Sequence, residues 1–78
     1  MKKSEKEVMV FGYEYNGKFI TIKSVKENDC GSTFSFIDDR LFRAYDGVGD
    51  KISSYAEMEA KQKIDCLNKA QEAEFMRR

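Results

Sequence analysis

Two runs of β-forming residues flank the dipeptide Asn16-Gly17, and this arrangement leaves the first third of the chain little choice of structure. Asn-Gly suits the positive φ angles of a type I′ turn, which joins antiparallel strands through a loop of two residues. The pattern predicts a hairpin over residues 8–25. A two-residue loop also fixes the register, so that Tyr13 faces Ile20 and Val10 faces Lys23.

This register divides the predicted hairpin into two unlike faces, because successive side chains of a strand point in opposite directions. The first face is rich in large apolar side chains, namely Phe11, Tyr13, Ile20 and Ile22. The second face mixes apolar with charged side chains, namely Val8, Val10, Glu14, Phe19, Lys23 and Val25. We expect the first face to lie against the rest of the protein.

Residues 33–37 alternate at period two and predict a third strand, with Phe34 and Phe36 facing the core. The segment 41–45 has two interpretations. It is either a fourth strand that returns from a tight turn, or a short helix capped by Asp38. The strand is the favoured interpretation.

A C-terminal helix is predicted to begin near Ser53 or Ser54, because Ser54 and Glu57 have the spacing of a capping box. Its apolar stripe has 3.6-residue spacing and should cover the first face of the hairpin. The stripe comprises Ala56, Ala60, Ile64 and Leu67, with Phe75 at its margin. Acids precede bases by four residues along the same helix, which predicts mutual neutralisation at Glu57/Lys61, Glu59/Lys63, Asp65/Lys69 and Glu74/Arg78.

The chain is therefore predicted to be one α+β domain over 1–78, a three- or four-stranded antiparallel β-meander packed by one C-terminal amphipathic helix. With 78 residues and 9.1 kDa it has room for a single core. We expect 1–7 to be flexible, 8–45 to form the sheet, 46–50 to be a Gly/Asp connector and 53–76 to form the helix.

Charge and residue types exclude several classes of function. Fourteen Lys+Arg balance fourteen Asp+Glu, so no net field draws the chain to nucleic acid or to an anionic membrane. The chain has no histidine, which excludes hydrolases that use a Ser-His or Cys-His pair. The adjacent Asp38 and Asp39 fit a turn better than a catalytic dyad. We expect a non-enzymatic protein with no cofactor.

Cys30 and Cys66 have no zinc-ligand spacing, which predicts free thiols and no metal site. Residues 1–7 are charged and precede no apolar signal region. No segment approaches the roughly 18–20 apolar residues of a membrane span. We therefore expect a cytoplasmic protein that does not enter a membrane.

Surplus apolar surface is the main indication of function, because one helix covers only one face of a small sheet. The second hairpin face and an outer stripe of the helix should be left to contact a partner. The candidate partner-binding residues are Val8, Val10, Phe19, Lys23, Val25, Tyr55, Met58 and Met76. We expect a protein-protein interaction module whose partner is another protein, a protein complex or a second copy of the chain.

Small, motif-free, charge-rich chains of this kind resemble the accessory proteins of bacteriophages and mobile elements. That resemblance implies an inhibitor that blocks a host or defence complex sterically. The alternative function is a small nucleic-acid-binding regulator that uses basic and aromatic residues of the sheet. Its candidate contacts are Lys18, Lys23, Lys26, Arg77 and Arg78.

Overall fold

The computed structural model of the chain describes residues 6–76, with side chains as far as Gln71. It is an α+β fold in which a four-stranded antiparallel sheet packs against one C-terminal helix. The strands are β1 (Lys6–Tyr15), β2 (Lys18–Glu27), β3 (Cys30–Ile37) and β4 (Arg40–Asp46), and the helix is α1 (Asp50–Met76). The strand order β1-β2-β3-β4 is the predicted meander, and the segment 41–45 belongs to a fourth strand.

Each strand passes to the next through a turn of two residues that accept positive φ angles. Asn16 and Gly17 have φ values of 49° and 91°, and Asp38 and Asp39 have values of 52° and 67°. Asn28, in the turn between β2 and β3, has a φ of 57°. Asn, Asp and Gly occupy this region at little cost, which explains how a chain without proline makes three sharp reversals.

The strands are longer than the sequence suggested. The hairpin register is the predicted one, with Tyr13 opposite Ile20, but β1 already begins at Lys6. Lys6 and Glu7 were expected to be flexible and are instead part of the sheet. The prediction for residues 1–5 lies outside the described part of the chain.

The orientation predicted for β3 is wrong. Thr33 and Ser35 are fully buried beneath α1, whereas Phe34 and Phe36 point to the other side of the sheet. The β2–β3 register decides this, because it pairs Phe34 with Lys23, a neighbour of the buried Ile22. The Thr33 hydroxyl donates to the Gly47 carbonyl at 2.8 Å, so its burial leaves no hydroxyl unsatisfied.

The core lies between α1 and the middle of the sheet. It consists of the fully buried residues Ile20, Ile22, Ala56, Ala60 and Ile64. The two alanines allow the helix axis to approach the strands closely. The predicted stripe is correct over these helical positions, but Leu67 lies at the rim of a groove beside Ile37 and stays exposed. Phe75 lies outside the described side chains.

The helix starts at Asp50, about one turn earlier than predicted. The Ser53 N–H donates to the Gly49 carbonyl at 2.9 Å, and the acidic Asp50 complements the partial positive charge of the first turn. Ser54 therefore lies inside α1. The predicted capping box is wrong, since Glu57 accepts a hydrogen bond from Tyr13 of the sheet instead.

The helix packs on β2, β3 and β4 and leaves much of β1 uncovered. Met9 and Phe11, on the helix side of β1, are 66% and 39% exposed. The expectation that α1 would cover Phe11 is therefore wrong. One strand at the edge of the sheet is left accessible on both of its faces.

Candidate functional site

The side of the sheet opposite α1, called the open face here, carries the main candidate site. Ile20 and Ile22 of β2 are buried under the helix, so the alternate residues of that strand point away from it. The strand registers then place their neighbours on the same side. The open face consists of Lys6, Val8, Val10, Gly12, Glu14, Phe19, Thr21, Lys23, Val25, Glu27, Cys30, Ser32, Phe34, Phe36, Leu41, Ala44 and Asp46.

Two rows of paired residues, apolar except for Lys23 and Thr21, cross the open face from one edge of the sheet to the other. Val10, Lys23, Phe34 and Ala44 form one row of paired residues. The next row consists of Gly12, Thr21, Phe36 and Leu41. Within residues 6–76 no element lies over these rows, so they form one continuous surface.

Exposure along the open face matches a surface that is not packed against its own chain. Val8, Val10, Phe19 and Leu41 are 49%, 57%, 44% and 60% exposed. Phe34, Phe36 and Val25 are half-buried by their neighbours on the sheet. Exposed apolar groups this close together are uncommon on a monomer unless they serve an interface.

Phe19 is held in place by Gly12. A Cβ atom at Gly12 would lie 2.7 Å from Cε2 of the Phe19 ring and 2.7 Å from the Ile20 carbonyl oxygen. The ring therefore occupies the space that a side chain at position 12 would fill, as is common where glycine interrupts a strand. Phe19 contributes a flat aromatic surface that lies against the backbone of Gly12.

Charged groups are few at the centre of the open face. Lys23 lies there between Val10 and Phe34, and Glu14 lies toward the Asn16-Gly17 turn. Asp38 has a structural role, because its Oδ1 accepts the Phe19 N–H at 2.9 Å and its Oδ2 lies 3.6 Å from Nζ of Lys18. This is the turn role expected for Asp38.

No known relative points to a function. Comparisons with protein families, with curated proteins and with solved structures find no match for this chain.

The predicted partner-binding residues lie on two separate surfaces. Val8, Val10, Phe19, Lys23 and Val25 come together on the open face. Tyr55 and Met58 are exposed on the helix, on the other side of the protein. The Tyr55 ring also meets Tyr45 edge-on, with centroids 6.0 Å apart, and this contact fixes it against β4. The Met76 side chain lies outside the described side chains.

The residues predicted to contact nucleic acid do not form one basic surface. Lys23 is on the open face, whereas the β1–β2 register places Lys18 and Lys26 on the helix side. Lys18 is also paired with Asp38. Arg77 and Arg78 lie outside the described residues.

Tyrosines of the sheet bind carboxylates of the helix on the covered side. The hydroxyls of Tyr13 and Tyr45 each donate to a glutamate at 2.6 Å, and Tyr15 donates to Asp65 at 3.0 Å. The glutamates are Glu57 and Glu59, so acids predicted to pair along the helix bind the sheet instead.

These contacts shift the pKa values of the groups concerned. Burial, followed by the hydrogen bond to a carboxylate, raises the pKa of Tyr13 and of Tyr45 to about 12. The hydrogen bond from Tyr45 lowers the pKa of Glu59. A tyrosine whose pKa is raised this far keeps its proton and serves as a hydrogen-bond donor. These tyrosine–carboxylate hydrogen bonds therefore fasten α1 to the sheet.

Neither a metal centre nor a membrane span is found in the described residues. Among the described side chains, which end at Gln71, no three acidic, cysteine or histidine side chains form a group that could hold a metal ion. The described helix is not apolar enough to cross a membrane. Both cysteines, Cys30 and Cys66, are free and exposed.

The sequence did not identify the large apolar residues that β3 and β4 contribute to the open face, namely Phe34, Phe36 and Leu41. The missing information was the β2–β3 register. A two-residue turn at Asn28-Asp29 pairs Ile37 with Ile20, and this pairing places residues 34 and 36 opposite the core. The Asn-Asp dipeptide was the available signal, because both residues favour tight turns.

Proposed function

We propose that this chain is a non-enzymatic protein-binding module that docks on another protein through the open face. The observation that carries the proposal is the largely apolar surface, interrupted by Lys23 and Thr21, that runs from Val8 to Leu41 on the side away from the helix. A protein partner suits this surface because interface cores combine apolar and aromatic side chains with few charges. Phe19, Phe34 and Phe36 would supply the aromatic part.

Docking of this kind acts by covering a surface of the partner. No catalytic group is required, so the module would inhibit or regulate a complex by steric blocking. Its exposed free thiols are compatible with the reducing cytoplasm that we propose as its location. The division of Lys18, Lys23 and Lys26 between two faces favours a protein over a nucleic acid as the partner.

Site-specific photo-crosslinking in cells that naturally make the chain tests this function. A benzophenone amino acid replaces Phe19 on the open face or, as the matched control, the exposed Gln62 on the outside of the helix. We expect one discrete protein adduct from position 19 and none from position 62. Leu41→Asp, at a residue 60% exposed, should abolish that adduct while the far-UV spectrum stays unchanged.

Several outcomes would reject the open face as the docking site. Equal adducts from both positions, or none from position 19, would do so. An adduct that nuclease removes would support nucleic-acid binding instead. If position 19 gave only an adduct of two copies of the 9.1 kDa chain and none with a different protein, docking on a different protein would be contradicted.

A further inference from the structure

The free edge of β1 is unusually accessible for a strand of ten residues. It pairs with β2 on one side only, and every residue from Lys6 to Gly12 is exposed. The four consecutive apolar residues at 8–11 lie within this stretch. Long apolar edges of this kind are templates for pairing with another strand.

The backbone groups that β1 presents at this edge follow from one pair of contacts. Phe19 directs its N–H and its carbonyl toward Asp38, at 2.9 Å and 2.8 Å, and so away from β1. Glu14, opposite Phe19, therefore has its own N–H and carbonyl turned toward the free edge. Because these groups alternate along a strand, the same free edge also presents the N–H and carbonyl groups of Lys6, Val8, Val10 and Gly12.

The other edge of the sheet lacks these properties. β4 has seven residues, its pairing with β3 is interrupted between Ser35 and Phe36, and it carries Arg40 and Arg43. Irregular pairing and charge both discourage edge-to-edge association. Pairing of β1 with β4 of another copy would leave one β1 edge and one β4 edge free, so that further copies could add without limit. Pairing of β1 with β1 of a second copy uses both β1 edges and closes at two copies.

We infer that two copies of this chain pair through β1, antiparallel, around a two-fold axis at Val10. Val10 then lies opposite the partner's Val10, and Val8 lies opposite the partner's Gly12. Lys6 lies opposite the partner's Glu14, so two charged pairs of opposite sign form by symmetry. The five outward-facing residues of each strand would exchange about ten backbone hydrogen bonds.

The pairing of Lys6 with the partner's Glu14 selects this register, because a shift by two residues in either direction loses it. Moving the partner by two residues in one direction places Val8 against the partner's Glu14. Moving it in the other direction places Lys6 against the partner's Gly12. In the proposed register Met9 also lies opposite the partner's Phe11 on the helix side, where both side chains are now exposed.

The dimer does not depend on the proposed docking function, but it would enlarge the docking surface. A two-fold axis perpendicular to the sheet keeps both open faces on the same side. The two sheets then form one sheet of eight strands with a single continuous open face.

Sedimentation equilibrium of charge variants tests the dimer and its register together. We expect the wild-type chain to reach twice the 9.1 kDa mass of one copy. Lys6→Glu and Glu14→Lys each oppose like charges twice and should weaken the dimer roughly tenfold. The double variant restores opposite charges and should return the dissociation constant to within about a factor of two of the wild type.

The control variant Leu41→Asp should leave the dimer unchanged, so that loss of docking and loss of the dimer are distinguishable. A wild-type chain that stays monomeric at a concentration of about 1 mM would overturn the inference, because stable interfaces have dissociation constants far below that value. The inference would also be overturned if neither single variant changed the dissociation constant of the dimer, or if the double variant failed to restore it.

Hydrogen exchange of the wild-type chain tests the same edge without substitutions. The amides of Val8 and Val10 should become protected as protein concentration rises, because they would then donate to the partner strand. Exchange at these amides that does not depend on concentration would contradict the inference.

Discussion

Ile22→Ala is expected to lower the free energy of unfolding by about 3 kcal/mol. Ile22 is fully buried at the centre of the sheet, where the helix contributes mainly alanine side chains. Ala56 and Ala60 are too small to fill the space that the substitution leaves. Since domains have roughly 0.05–0.15 kcal/mol of stability per residue, this loss should unfold a measurable share of the protein at 37 °C.

Urea denaturation followed by far-UV circular dichroism measures this effect. Leu41→Ala is the matched control, because it also shortens an aliphatic side chain of the sheet but at a position 60% exposed. It should cost less than about 0.5 kcal/mol. Equal losses in the two variants would mean that the core does not lie between α1 and the Ile20/Ile22 side of the sheet.

Tyr45→Phe is expected to lower the free energy of unfolding by about 1–2 kcal/mol near neutral pH. The substitution removes the hydroxyl that donates to Glu59 at 2.6 Å. Hydrogen bonds to charged groups contribute more than neutral ones, and this one is partly shielded from water. Tyr15→Phe is the comparison, because its bond to Asp65 is longer, at 3.0 Å, and exposed. It should cost less.

The Tyr45→Phe difference should depend on pH at both extremes. The pKa of Tyr45 is raised in the folded state from 10.0 to about 12, so its contribution is complete below pH 10 and is lost as the pH rises from 10 to 12. The pKa of Glu59 is lowered below 4.5, so its contribution is present above pH 4.5 and is lost as the pH falls below that value.

Denaturant titrations of wild type and Tyr45→Phe across this pH range give the test. The difference in unfolding free energy should be largest on a plateau between about pH 5 and pH 10 and should shrink on either side. A difference that is constant with pH would show that the Tyr45–Glu59 hydrogen bond does not fasten the helix to the sheet.

Local turn chemistry made the sheet predictable. Asn16-Gly17 predicted the first hairpin and its register. The segment 41–45 had two interpretations, and in the structure Asp38 and Asp39 form the tight turn that leads into a fourth strand. These signals depend on residues adjacent in sequence, whose backbone preferences are strong enough to act without tertiary contacts. The helix was predictable from its apolar spacing for the same reason, although its first turn was not.

The sequence pattern of β3 did not predict which side of the strand is buried. Alternation at period two shows that Phe34 and Phe36 share a face but not which face is buried. Hydrophobicity favoured burying the phenylalanines, whereas the β2–β3 register buried Thr33 and Ser35. Thr33 tolerates burial because the Gly47 carbonyl, 14 residues away in sequence, accepts its hydrogen bond.

Contacts between distant segments explain the other differences. The helical acids Glu57, Glu59 and Asp65 were predicted to neutralise lysines one turn away, yet they bind tyrosines of the sheet. A surface pair along a helix contributes only about 0.3–0.5 kcal/mol, so a partly buried tyrosine hydroxyl competes well for the same carboxylate. Only the packing of α1 on the sheet brings these groups together.

The open face itself is the feature on which the proposed function depends most. Methyl NMR spectra recorded with a soluble paramagnetic gadolinium chelate measure its accessibility directly. The methyl groups of Val8, Val10 and Leu41 should relax strongly, while those of Ile20, Ile22 and Ile64 stay protected. Methyl groups of Val8, Val10 and Leu41 that are as protected as those of Ile22 would contradict the account.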